Sequence, residues 1–213
     1  MIKRIAIIGA GGINSWSIKH LSEVLKIFYT EIPPYVKIFD NDVVEEKNIK
    51  RFNQNFEVGD LMLQKAEVLS TRYNFDFDNC FITEDNIKDK LQGFTDIIIG
   101  VDNHKTRKLI YEFAIRNGIF VLDMRAQGTQ VMYVVVEQNP AITPEENIKL
   151  YNEKYFSKEI VMERKGSCQL KRDIETDHIE NGNKIISFMC MYGVYLKRLR
   201  NEKIYENEWK MVY

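Results

Sequence analysis

The chain opens on a continuous apolar run. In "KRIAIIG" the residues Ile5 to Ile8 are all apolar, the pattern of a strand buried on both faces of a parallel sheet. From Ser15 to Phe28 the pattern changes. Trp16, Ile18, Leu21, Val24, Leu25 and Phe28 recur at helical spacing, which predicts an amphipathic helix. Pro33 and Pro34 then interrupt the chain, and "YVKIFDND" is a second strand ending in acids. Strand, helix, strand is a βαβ unit.

A helix is predicted from Leu61 to about Tyr73, and "NCFITEDN" is a possible third strand. "TDIIIGVDN" is a clearer strand that also ends in Asp. "HKTRKLIYEFAIRNG" is a helix stopped by Gly118, and "IFVLDMRAQG" is the strand after it. "TQVMYVVVEQN" alternates and is β-branched, which suits an antiparallel strand at the sheet edge. "PEENIKLYNEKYF" reads as a helix and "MERKGSCQLKRDIETDH" as a loop or crossing segment. "NKIISFMCMYGVYLKRLRNEK" is a long amphipathic helix, and "YENEWKMVY" a closing edge strand. This alternation predicts an α/β fold: a doubly wound, Rossmann-like, mostly parallel sheet with antiparallel edge strands. A single domain is expected, with a nucleotide-binding core over 1–136, a crossover or variable segment over 137–183, and a C-terminal helix and edge strand over 184–213.

Composition narrows the function little. Of the 213 residues, 45% are hydrophobic and 29% charged, with a net charge of −1. That balance argues against a protein that coats nucleic acid. The longest apolar runs are strand-sized, too short to span a bilayer. The first strand begins almost at Met1, so no signal peptide and a cytoplasmic location are expected. Cys80, Cys168 and Cys190 are scattered, with no C-x-x-C pair. Neither a zinc site nor a disulfide framework is expected.

The chemistry gathers at strand ends. Gly9, Gly11 and Gly12 follow the first strand; without side chains they permit positive φ and bring backbone N–H groups close to an anion. The helix that follows adds its positive end. Asn14 stands where the G-x-G-x-x-G fingerprint has its third glycine. Asp40 ends the second strand, where a Rossmann-type acid holds ribose hydroxyls. To this point a nicotinamide-dependent oxidoreductase remains open, since it would show the same acid. Next come Asn48, Arg51 and Lys65, and Asp102 ends another central strand. Two cations and a carboxylate around a glycine turn suit a polyphosphate with Mg²⁺.

In order, "GAGGINS", "DNDVVEEKNIKR", "VGDLMLQKAEVL" and "DIIIGVDNHKTR" resemble the motifs of the superfamily of ThiF, MoeB and the ubiquitin-activating enzymes. The resemblance covers roughly residues 5–136. It implies ATP- and Mg²⁺-dependent adenylation of the C-terminal carboxylate of a small β-grasp protein, ubiquitin-like or sulfur-carrying, that ends in Gly-Gly. It implies that Gly9, Gly11 and Gly12 cradle phosphates and that Asp40 binds ribose. Asn48, Arg51 and Lys65 would contact phosphate, and Asp102 would hold Mg²⁺. A homodimer is expected by the same resemblance. Some relatives carry a cysteine in the crossover loop that takes the adenylated carboxylate as a thioester. Cys168, flanked by Lys165, Lys171 and Arg172, occupies that place, and an ordinary loop cysteine fits it as well.

The departures are Phe52 where many members have glutamine, Asn14 for glycine, and the missing N-terminal helical extension and zinc cysteines. They leave open a non-catalytic scaffold that binds nucleotide or a partner. Cys190 reads as core packing, His20 and His178 as surface residues, and His104 as a helix-start residue.

Overall fold

The computed structural model describes residues 3–29, 32–49, 54–127, 130–156, 178–204 and 207–212, the side chains of 178–180 excepted. Arg51 and Cys168 lie outside these residues.

β1 (Arg4–Ile8) is central. Ile5 to Ile8 are at most 2% exposed, because the strand is flanked by parallel partners and covered on both faces. Its neighbours are β2 (Tyr35–Phe39) and β4 (Asp96–Ile99), with Ile7 opposite Ile38 on one side and Ile98 on the other. β3 (Asp76–Asp78) lies outside β2, and β5 (Phe120–Gln127) outside β4, both in parallel. β6 (Gln130–Val136) and β7 (Glu208–Val212) add in antiparallel fashion, giving the order β3-β2-β1-β4-β5-β6-β7.

Helices cover both faces. α1 (Gly12–Phe28), α3 (Lys65–Tyr73) and α7 (His178–Met189) pack on the face that carries Ile7, Ile38, Ile98 and Leu122. α4 (Ile87–Leu91), α5 (His104–Asn117) and α6 (Pro144–Tyr155) cover the other, which carries Ile8, Ile97, Ile99 and Val121. α2 is a single turn, Glu46–Ile49. Alternate residues of one strand therefore feed two separate cores. Beyond Met189 the last helix runs through a π-helical stretch, Cys190–Tyr195, and ends in the turn Leu196–Leu199. Near its end Arg198 Nε lies 2.7 Å from Oδ1 of the fully buried Asp96, at the start of β4. That pair fixes the helix to the end of the sheet where β4 begins.

Four expectations are corrected. The third strand is Asp76–Asp78, ahead of "NCFITEDN". The apolar residues of that segment suggested pairing, but the Asn86 side chain folds it into a turn, accepting from Thr83 N–H at 2.9 Å and donating to Phe81 O at 2.8 Å. Cys80 lies just past β3, its N–H donating to Asp78 O at 2.8 Å. α3 starts at Lys65 because the residues before it pair with the segment after β2: Met62 N–H donates to Val44 O and Val44 N–H to Leu63 O. β6 is interior, since β7 pairs along its outer side. His178 begins α7.

Candidate functional site: the glycine turn at the carboxyl ends of β1, β2 and β4

β1 leads into the turn at Gly9, whose φ is +86°, a conformation open chiefly to glycine. Space demands glycine as well, because a Cβ there would come within 2.8 Å of Val101 Cγ1. The turn is anchored by Gly9 N–H donating to Phe39 O at 2.9 Å. Gly11 precedes α1 in an extended conformation and offers no side-chain cap, and no acid lies in the first helical turn. The first N–H groups of a helix have no intrahelical acceptor. Those at the start of α1 therefore remain available, together with the positive end of the helix dipole, to an anion.

Asn14 is fully buried and ties this turn down. Its amide donates to Ile8 O at 3.0 Å and to Gly9 O at 2.9 Å. Its side chain fills the space over Gly100, where a Cβ would fall 2.6 Å from Asn14 Cγ. The glycine missing at residue 14 is thus offset by one at residue 100, just past the end of β4.

Asp40, 6% exposed, closes β2. Ala10 N–H donates to its Oδ2 at 2.6 Å and Asp42 N–H to its Oδ1 at 2.7 Å. Each oxygen retains a lone pair. Burial raises the Asp40 pKa, outweighing the two backbone hydrogen bonds and the nearby Lys65 charge. Lys65 begins α3 at 6% exposure, with Nζ 3.1 Å from Asp42 Oδ2. The turn, Asp40, Asp42 and Lys65 are therefore one linked group. Asn48 is buried in the single turn of α2, its Oδ1 accepting from Glu45 N–H at 2.8 Å.

Asp102 is exposed and lies just beyond β4. Gly100 N–H donates to Ile8 O at 3.1 Å, and Gly100 and Val101 both abut Gly9. The loop that carries Asp102 is thus seated beside the glycine turn. Asn103 caps α5, accepting from Lys105 N–H and Thr106 N–H, and His104 opens that helix as expected. Among the described residues, no group of three or more His, Cys, Asp or Glu side chains forms a metal cage. An acid placed just past a strand end, as Asp102 is, does fit the other mode of magnesium binding, one carboxylate plus substrate phosphates.

Sequence reasoning missed a buried network on the α5 side of the sheet. Asp123 is fully buried in β5. Arg125 Nε donates to its Oδ2 at 2.9 Å and Tyr111 OH donates to the same oxygen at 2.7 Å. Arg107 Nε lies 3.2 Å from Oδ1, at an angle that leaves both atoms without a hydrogen bond. Burial disfavours the Arg125 charge, but Asp123 and Tyr111 more than offset it and the pKa is raised. His104 feels this cluster: burial lowers its pKa first, and Arg107 and Arg125 lower it further. Two arginines on one carboxylate leave an excess positive charge near the Asp102 loop. The signal lay in "DMR", acid and base two apart on a strand and so on one face.

Cys190 is fully buried, as expected, and its thiol pKa is raised well above the ordinary value by burial. His20 is only partly surface-exposed, packed edge-on to Phe188 and Tyr192. No helix among the described residues is long and apolar enough to cross a membrane.

Known proteins place this site in context. The fold is similar to that of PaaA, at 14% identity and TM-score 0.67, covering 99% of this chain and 69% of PaaA. It is also similar to E. coli MccB crystallised with AMPCPP and MccA, at 15% identity and TM-score 0.69, covering 99% of this chain and 60% of MccB. MccB crystallised with ATP gives 15% identity, a TM-score of 0.66 and the same coverage. The chain thus spans less than two thirds of the length of MccB. No curated protein sequence matches it. Residues 2–176 match the ThiF family, and with the glycine turn, Asp40 and Lys65 assembled at the strand ends, the chain belongs to that family.

Proposed function

We propose that the chain adenylates a carboxylate on a peptide or small-protein partner, with ATP as the nucleotide donor. The observation that carries this reading is the linked group at the end of β1 and β2. An uncapped α1 N-terminus, the glycine turn and the buried Lys65 are joined there through Asp40 and Asp42. Backbone donors and an ammonium suit phosphate; a hydride-transfer reaction gives Lys65 and Asp102 no task. Membership in the ThiF family favours nucleotidyl transfer over the oxidoreductase reading. MccB, with its ATP, AMPCPP and MccA complexes, supports a nucleotide and a peptide as the two ligands.

In this reading the first turn of α1 and Lys65 bind the triphosphate, and Asp40 accepts from a ribose hydroxyl. Lys65 exchanges its contact with Asp42 for one with phosphate. Asp102 would hold Mg²⁺, which would supply charge neutralisation. The partner's carboxylate oxygen attacks the α-phosphorus, an acyl-adenylate forms, and pyrophosphate leaves. The chain's contribution is alignment and a field complementary to the developing charge. Arg51 joins the phosphate set on the strength of its motif, and Cys168 remains a thioester candidate by its place in the sequence. A β-grasp partner ending in Gly-Gly, a homodimer and a cytoplasmic location belong to the same proposal.

ATP–pyrophosphate exchange with candidate carriers, comparing wild type with Asp102→Ala, tests the reading. Carrier-dependent exchange that collapses in the variant supports it. Exchange equal in both removes Asp102 from the mechanism, and ATP binding with no exchange for any carrier favours the scaffold.

A further inference from the structure

The first turn of α1 is not lined by backbone alone. Asn183, on α7, is 3% exposed, and its Nδ2 is buried with no hydrogen-bond partner. The amide lies against Gly12: a Cβ at that residue would fall 2.5 Å from Nδ2. Gly12 is the first residue of α1, so the orphaned donor sits where that helix presents its own unpaired N–H groups. A buried donor left unpaired destabilises the protein that carries it. Here the same donor stands at the positive end of a helix, where an anion is the complementary ligand.

We propose that Asn183 is a phosphate ligand of the glycine cradle, delivering its amide N–H from the C-terminal helix to the polyphosphate of a nucleoside triphosphate. The inference rests on the nucleotide reading above and deepens it. Gly12 is glycine so that this amide can approach; any larger residue would displace it. The position of the amide is held by the packing of its helix. Ile186 and Cys190 are fully buried on the turns that follow, and Arg198 pins the far end to Asp96. Being neutral, Asn183 adds a donor without recruiting a competing acid, unlike Lys65 with its Asp42 partner. Through Asn183 the last helix of the chain becomes part of the nucleotide site.

The test uses the full chain and the variants Asn183→Ala and Asn183→Asp. Thermal unfolding is followed without ligand, ATP·Mg²⁺ binding by calorimetry, and adenosine binding by ligand-observed NMR. For Asn183→Ala the expected result is an unliganded midpoint equal to or above wild type, ATP bound about tenfold more weakly, and adenosine unchanged. Asn183→Asp raises the unliganded midpoint, because a carboxylate suits a helix N-terminus, and weakens ATP further by repelling phosphate. A lower midpoint, with ATP and adenosine weakened together, overturns the proposal in favour of a purely structural amide. So does unchanged ATP affinity in both variants. A wild-type chain that binds no ATP overturns the nucleotide reading itself, and this inference with it.

Discussion

Asn14 and Gly100 are complementary: the amide of one occupies the space that a side chain on the other would need, with Cγ 2.6 Å from the position of a Cβ on Gly100. The pair joins the start of α1 to the end of β4 and supports the glycine turn from beneath. Gly100→Ala alone is expected to cost about 1–3 kcal/mol through overpacking. Asn14→Gly alone is expected to cost a similar amount, about 1–3 kcal/mol, by removing its bonds to Ile8 O and Gly9 O. The double variant should cost less than the sum by at least about 1 kcal/mol, because the new methyl enters the vacated space. Urea unfolding of the four proteins measures this coupling; strict additivity would contradict the packing described.

The Asp123 network braces the α5 side of the site. Asp123→Asn leaves Arg107 and Arg125 without their carboxylate and should destabilise by about 3–5 kcal/mol. Tyr111→Phe removes one hydroxyl bond to Asp123 and should cost about 1–2 kcal/mol. Chemical denaturation at neutral pH reads both. Similar small losses in the two would show that the arginines find other partners.

His104 predicts an acid dependence. Its folded pKa lies below the ordinary histidine value of 6.5, first through burial and then through Arg107 and Arg125. As pH falls through 6.5 the unfolded chain takes up the proton before the folded one. Stability from this group is therefore complete above that pH and is lost as pH falls toward the lower folded pKa. His20 acts in the same direction, since burial lowers its pKa more than Glu23 raises it. His104→Gln should flatten part of the loss between pH 7.5 and 5.5 (about a pH unit either side of an ordinary histidine pKa), and His20→Gln another part. Parallel pH–stability curves in wild type and the double variant would remove both histidines from the account.

Lys65→Met separates catalysis from folding. Lys65 contacts Asp42, whose side chain is 56% exposed and can return to water, so stability should change by less than about 1 kcal/mol. Pyrophosphate exchange should fall about 10²–10³-fold, the scale of losing one charge-stabilising group. A loss of exchange that tracks a loss of fold would refute the assignment.

The local pattern already contained much of this molecule. Ile5 to Ile8 read as a doubly buried strand because every position is apolar, and the glycine cluster and Asp40 read as a strand-end site because both are local motifs. Other elements were hidden for equally local reasons. β3 is three residues of alternating acid and Phe, too short and polar to show periodicity. Asp123 and Arg125 drew no role from the sequence, since nothing nearby in it reveals that Arg107 and Tyr111 meet them from α5.

The sequence by itself therefore determined the strand and helix periods, the parallel core and the glycine turn, because each depends on residues a few positions apart. Only the tertiary structure decided which distant groups meet: Asn14 with Gly100, Arg107 and Arg125 on Asp123, and Asn183 against Gly12. Those contacts join elements that are separate in the chain. They are selected by how two faces of one sheet pack, which no local pattern of residues encodes.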